Sequence, residues 1–216
     1  MAKIFRSKLT GKFKEKIYEQ RKKWALLQLT GQLEIPLTAE LAYVAFSKFK
    51  YGVYTNYGDN RKYDFCLFDL KDCLINENVK RPPKPSKFKS IFEIKYTKNV
   101  HARTWNSAIG DAKKCFESLS KQLESIDNNG IKGIKVQEVQ YNPSALIVSG
   151  FVKNAKFEKL NQKSAQEYWD DLKSYAKDNG LQCEKRTTIY SSVKLKLNQL
   201  EYDCSLFCFW VRKKKK

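Results

Sequence analysis

Histidine occurs once in this chain, at His101, and methionine once, at Met1. Six cysteines are present, Cys66, Cys73, Cys115, Cys183, Cys204 and Cys208, but none forms a CxxC pair. Without paired cysteines or a second histidine, a tetrahedral zinc site is not expected. Cys204 and Cys208 share one strand-like apolar run and lie too far apart along it to bond each other, so buried thiols are the expected state. No apolar run is long enough to span a bilayer. The opening "MAKIFRSKLTGKFKEK" lacks the apolar centre of a signal segment, so an intracellular protein is expected. Acid is also scarce: 23 Asp and Glu stand against 42 Lys and Arg, a net charge of +19. Such an excess fits a partner with a dense negative surface, nucleic acid before membrane. Plain solubility, or a lysine-rich coding bias, is the bland reading of the same number.

What remains is a globular composition, 42% apolar and 13% aromatic over 216 residues, enough for one domain with a real core. Residues 11–30 read as a basic helix with Phe13, Ile17, Trp24 and Leu27 on one stripe and Gly31 as its stop. "PLTAELAYVAFSKFKYG" reads as a second helix, capped by Thr38, striped by Leu41, Val44, Ala45 and Phe49, and ended at Gly52. "VYTNY" and "YDFCLFDL" read as strands on either side of a "YGDNR" turn. The proline-rich "KRPPKPSKFK" that follows cannot continue a central strand. "SIFEIKYT" is a strand, and residues 104–126 are an amphipathic helix. "SALIVSGFV" is apolar throughout, as in a strand covered on both faces. Ser164 and Glu167 make a capping box for a helix that stops at Gly180. "TTIYSSV" and "CSLFCFWV" close the chain as strands. The expected class is α/β, a mixed sheet flanked by helices, in a single domain over 1–216. Within it, 1–35 is an N-terminal helical extension, 38–152 the core, 153–212 a C-terminal helix and strands, and 213–216 a basic tail.

The stretch "SIFEIKYTKN" is the most informative. Side chains alternate along a strand, so Glu93 and Lys95 point one way while Ile94 and Tyr96 point the other. A solvated strand face would explain this pattern without any chemistry. Asp64, however, opens the strand "DFCLFD". If these two strands form a hairpin, Asp64 can approach Glu93. Two adjacent carboxylates repel unless a cation sits between them, and oxygen ligands suit Mg²⁺ or Mn²⁺. A lysine beside such an ion can orient water or stabilise charge on a phosphate. Together these are the minimum for metal-assisted phosphodiester hydrolysis. Asp69, on the opposite side of its strand, is the weaker choice of ligand.

"YDFCLFD … FEIK" resembles the PD-(D/E)xK nuclease superfamily, whose core runs helix, strand, strand, strand, helix, strand. The superfamily's usual proline before the aspartate is Tyr63 here. In layout, "AELAYVAFSKFKYGVYTNYGDNRKYDFCLFD" is similar to archaeal, or archaeal-virus, Holliday junction resolvase-like nucleases. In those a helix glutamate precedes the aspartate, and Glu40 falls at that place. The similarity covers about 38–151; the insertion at 70–90 is longer, and residues 1–35 and 153–216 have no counterpart.

The resemblance implies a restriction-endonuclease-like core, catalytic Asp64, Glu93, Lys95 and Glu40, Mg²⁺ or Mn²⁺ on Asp64 and Glu93, and DNA as substrate. A homodimer is implied too, because a four-way junction has two equivalent strands to cut. Arg61, Lys62, Lys87, Lys89, Lys98 and Arg103 lie near the ends of the motif strands and are the candidate phosphate contacts. Three functions stay open: a structure-selective DNA endonuclease, a restriction-like or nicking enzyme of the same fold, and a basic DNA-binding protein without catalysis.

Overall fold

The computed structural model describes residues 2–30, 33–54, 65–69, 89–99, 144–154 and 164–214, with Lys114, Glu117, Ser120 and Lys121. The chain begins with three helices, α1 (Ala2–Glu19), α2 (Arg21–Thr30) and α3 (Glu34–Phe49). Strands β1 (Tyr51–Tyr54), β2 (Phe65–Asp69), β3 (Ser90–Asn99) and β4 (Ser144–Asn154) follow. Helix α4 (Ala165–Asp178) leads to β5 (Leu181–Cys183), β6 (Thr187–Leu197) and β7 (Leu200–Lys213). Lys114, Glu117, Ser120 and Lys121 are helical; the apolar stripe expected on 104–126 lies outside the described residues.

One mixed sheet orders these strands β1-β2-β3-β4-β7-β5, with β6 also on β7. Among the described residues only the β3–β4 pairing is parallel. β5 and β6 share the far edge of β7, β5 on its last residues and β6 on the rest. Register shifts around Tyr190 bend β6, as bulges do.

Alternation along each strand splits the interior into two layers. Phe92 and Ile94 of β3 and Leu146 and Val148 of β4 face α1–α3, where Phe13, Ile17, Trp24, Leu37 and Leu41 meet them. Ala145, Ile147, Phe207, Phe209 and Val211 face Tyr168, Trp169 and Leu172 of α4. β4 is therefore covered on both sides, which is why its sequence is apolar almost without a break. Trp169 sets its ring edge-on to Phe209, centroids 4.6 Å apart. The Ser164–Glu167 capping box forms, and Gly180 after α4 takes φ +71°, a value glycine adopts without strain. Among the described residues no helix is long and apolar enough to cross a membrane.

The first two helices depart from the sequence expectation. They begin at Ala2 rather than Gly11 and break at Gln20. The stripe is as expected: Phe13, Ile17 and Trp24 are buried, and Leu27 packs against them. The pair is bolted to the far end of the chain. Trp210 Nε1 donates to Thr10 Oγ1 at 2.8 Å, and Arg6 forms a largely buried ion pair with Glu184. Gln28 Nε2 donates to the Ser205 carbonyl at 2.9 Å, and Tyr190 donates to Gln28 Oε1.

Helix α3 also starts earlier than expected, at Glu34. Proline is tolerated in a first turn, so Pro36 does not delay it. Thr38 is thus not the cap; its hydroxyl donates back to the Glu34 carbonyl at 2.8 Å. The helix ends at Lys50, φ 57°, and not at Gly52, which is buried in β1 beneath the Phe68 ring.

Gly150 of β4 is a second packed glycine. A Cβ there would run into the Tyr96 hydroxyl and Gln28 Nε2, and the latter bonds α2 to the Ser205 carbonyl of β7. Gly150→Val is expected to lower unfolding free energy by about 1–3 kcal/mol through overpacking. The denaturant midpoint should fall with an unchanged m-value. An unchanged midpoint would show that Gln28 and Tyr96 give way freely.

Candidate active site

Antiparallel pairing sets Leu67 against Ser90 and Phe65 against Phe92, and the described part of β2 begins at Phe65. From Glu93 onward, β3 has a strand partner on the β4 side only, among the described residues. The first turn of α3 approaches the other edge. Glu34 Oε2 accepts the Tyr96 N–H at a long 3.4 Å, and Glu34 Oε1 accepts from Lys95 Nζ at 3.2 Å. Lys95 Nζ lies 3.7 Å from Glu93 Oε2. The three side chains form a row of acid, ammonium and acid that runs outward from the interior. Their exposures follow that order, at 3% for Glu93, 24% for Lys95 and 41% for Glu34.

Parallel register places Glu93 beside Ala145 and Lys95 beside Ile147, on the α4 side of the sheet. Phe92 and Ile94 turn into the opposite layer, and Tyr96 packs against it. A solvated strand face is therefore excluded for Glu93, which is 2% exposed. Burying a carboxylate is costly unless a counter-charge accompanies it, and Lys95 is that charge. On the neighbouring strand, Cys66 registers the same acid. Burial, and then the negative charge of Glu93, push its thiol up to about 12. Cys66 is thus a protonated, inert thiol at neutral pH, not a nucleophile.

Lys95 is the one member of the row that can meet a substrate with a full positive charge. Held by carboxylates on either side, it is pre-oriented to bind an anion or to direct a water molecule. The same clasp bears on metal binding. Lys95 occupies the space between Glu34 and Glu93, and the described residues contain no group of three His, Cys, Asp or Glu that could hold an ion. These residues do not make a divalent site by themselves, so the expected site depends on Asp64.

Asp64 lies outside the described residues, as do Arg61, Lys62, Lys87 and Arg103. Asp69 shares the face of Phe65 and Leu67, opposite to Glu93. Glu40 sits half-buried on α3 and makes no ion pair with Glu93 or Lys95. Lys89 donates its N–H to the Leu67 carbonyl at 2.7 Å and holds Nζ 4.7 Å above the Tyr51 ring. Lys98 is half-buried on β3, in register with Gly150.

Sequence reading missed Glu34, because starting the helix at Thr38 left it in a linker. The available signal was an acid just ahead of Pro36, where helix first turns favour negative charge.

No family model, no curated protein and no solved structure matches this chain.

Proposed function

We propose that the chain is a metal-dependent DNA endonuclease whose active centre is built on Glu93 and Lys95. The observation that carries this reading is the buried Glu93 joined to Lys95 on one strand, with a helix acid closing the row. The order of elements supports it: helix α3, three antiparallel strands, helical residues, then β4 parallel to β3. That is the order of a PD-(D/E)xK nuclease core. The +19 charge supplies the attraction for a polyanion.

In this reading Asp64 and Glu93 would hold Mg²⁺ or Mn²⁺, which supplies Lewis-acid activation of the scissile phosphate. The reading requires the β2–β3 register to run one residue further, setting Asp64 opposite Glu93. Lys95 positions the attacking water and offsets charge building on the phosphate oxygens. Glu34 holds Lys95 in place and ties it to α3. A four-way junction is the favoured substrate, and on it the acting species is a homodimer.

A second reading has its own observation. The 3.2 Å Lys95–Glu34 pair is also what a structural clasp between α3 and β3 would look like. The protein would then bind DNA without cutting it.

The test incubates the chain with Mn²⁺ or Mg²⁺ and duplex, single-stranded, flap and four-way DNA. Metal-dependent cutting, strongest on the four-way DNA, is expected. Binding in EDTA should persist and weaken steeply with salt. Binding without cutting on every substrate would leave the clasp reading. Absence of binding at low salt would remove both.

A further inference from the structure

A second basic feature lies away from Glu93 and Lys95. The C-terminal half of α4 and the edge strand β5 enclose a cleft of about 700 Å³. Leu181 and Cys183 line it with apolar surface, and Lys173, Lys177, Arg212 and Lys214 supply positive charge. We infer that this cleft is a second binding site for nucleic-acid phosphates, serving the DNA-binding role proposed above, on which it rests.

Lys173 and Lys177 stand four residues apart on α4, so they share a face about 6 Å apart along the axis. Like charges at that spacing disfavour a helix by a few tenths of a kcal/mol. Both are exposed, and among the described residues neither they nor Lys214 has a carboxylate partner. Arg212 is shared: its Nε lies 3.9 Å from Glu184 Oε1, whose main partner is Arg6. Asp170 is the acid among the lining residues, and it accepts a hydrogen bond from Gln166 at 3.0 Å. The cleft therefore concentrates positive charge that the fold itself does not neutralise.

Its chemistry favours a strand over a small ligand. No aromatic side chain lines it among the described residues, so nothing there stacks a base. Phosphate is what the lysines and arginine can recognise. Covalent chemistry is not offered either, since burial holds the Cys183 thiol up at about 12 and outweighs the opposing pull of Lys173.

Placement adds to the case. One register row crosses the sheet from Glu93 through Ala145 and Val211 to Cys183. Three strand spacings make that about 14 Å. The cleft and the candidate active centre thus lie at the same end of the sheet. A single DNA molecule can touch both.

Fluorescence anisotropy in EDTA tests this, with labelled single-stranded and duplex DNA across a salt series. The cleft variant is Lys173→Glu with Lys177→Glu, which spares the capping box and the apolar face of α4. A charge-matched control carries Lys194→Glu and Lys196→Glu on exposed β6 positions. The cleft variant should bind about 10-fold or more weaker than the control, with a salt slope lower by about 2. Equal affinities for the two variants, with tight wild-type binding, would overturn the cleft and leave the nuclease proposal standing. A wild type that binds no DNA would overturn both. A mononucleotide that binds wild type as tightly as the strand does, and spares the cleft variant, would overturn the assignment to a strand.

Discussion

Lys95→Ala should lower DNA cleavage by about 10²–10³-fold while DNA affinity in EDTA stays within a few-fold. The cleavage loss follows from position. Lys95 carries the one cation of the row, partly open to solvent and fixed by Glu34 and Glu93. The small binding loss follows from number, because one phosphate contact among many adds little to the electrostatic total. The substitution also removes a counter-charge from the buried Glu93, and breaking a buried pair costs up to about 3–5 kcal/mol. A thermal melt must therefore accompany the assay. Glu93→Gln keeps the volume and removes the charge. It should lose cleavage and weaken Mn²⁺ binding, which Lys95→Ala should not. Glu34→Gln removes only the outer anchor and should cost about 10-fold in rate at most. Effects of the row should not add, since its members act on one step. If Lys95→Ala cuts at the wild-type rate once its stability is corrected for, the row is a clasp between α3 and β3 and the chemistry lies elsewhere.

Period-two alternation was the most legible signal in the sequence. It separates Glu93 and Lys95 from Ile94 and Tyr96, and the sheet keeps that division. The unbroken apolar run of β4 told of two covered faces, and both are present. The α4 capping box was readable because it is local, four residues closing on themselves.

The features that were missed depend on distance or on brevity. Glu34 meets Lys95 across 61 positions of sequence, and nothing near Glu34 announces the contact. Arg6 finds Glu184 across 178. The three-residue β5 is too short to carry a period and exists because β7 offers it an edge. Breaking the first helix at Gln20 has no strong local breaker behind it; packing of both pieces on one sheet overrides propensity there. The candidate centre was thus half legible: Glu93 and Lys95 from pattern, Glu34 only from the fold.

Stability should fall steeply above about pH 9, and the cause is the buried thiols. Cys66, Cys204 and Cys208 are fully buried, and burial pushes each from 9.0 up to about 12. The folded state keeps these protons while the unfolded chain releases them. A group whose folded value is raised contributes its full stability below the unfolded value and loses it as pH climbs through the folded one. The window is therefore pH 9 to 12. Each thiol removes about 1.4 kcal/mol per pH unit there, so three remove roughly 4 kcal/mol per unit. Two such units remove about 8 kcal/mol, a large share of a total stability of about 5–15 kcal/mol. The Tyr96 and Tyr190 phenols, also raised by burial, steepen the fall above pH 10. Denaturant titrations at successive pH values, under reducing conditions, measure it. Cys66→Ala should flatten the slope by one thiol's share. Glu93→Gln should make Cys66 more reactive toward a thiol reagent at pH 9, because the negative charge that helps keep it protonated is gone. A stability that stays level from pH 9 to 11 would mean that these thiols ionise as freely in the fold as in the open chain, and that Glu93 does not sit in the dry, charged row described for it.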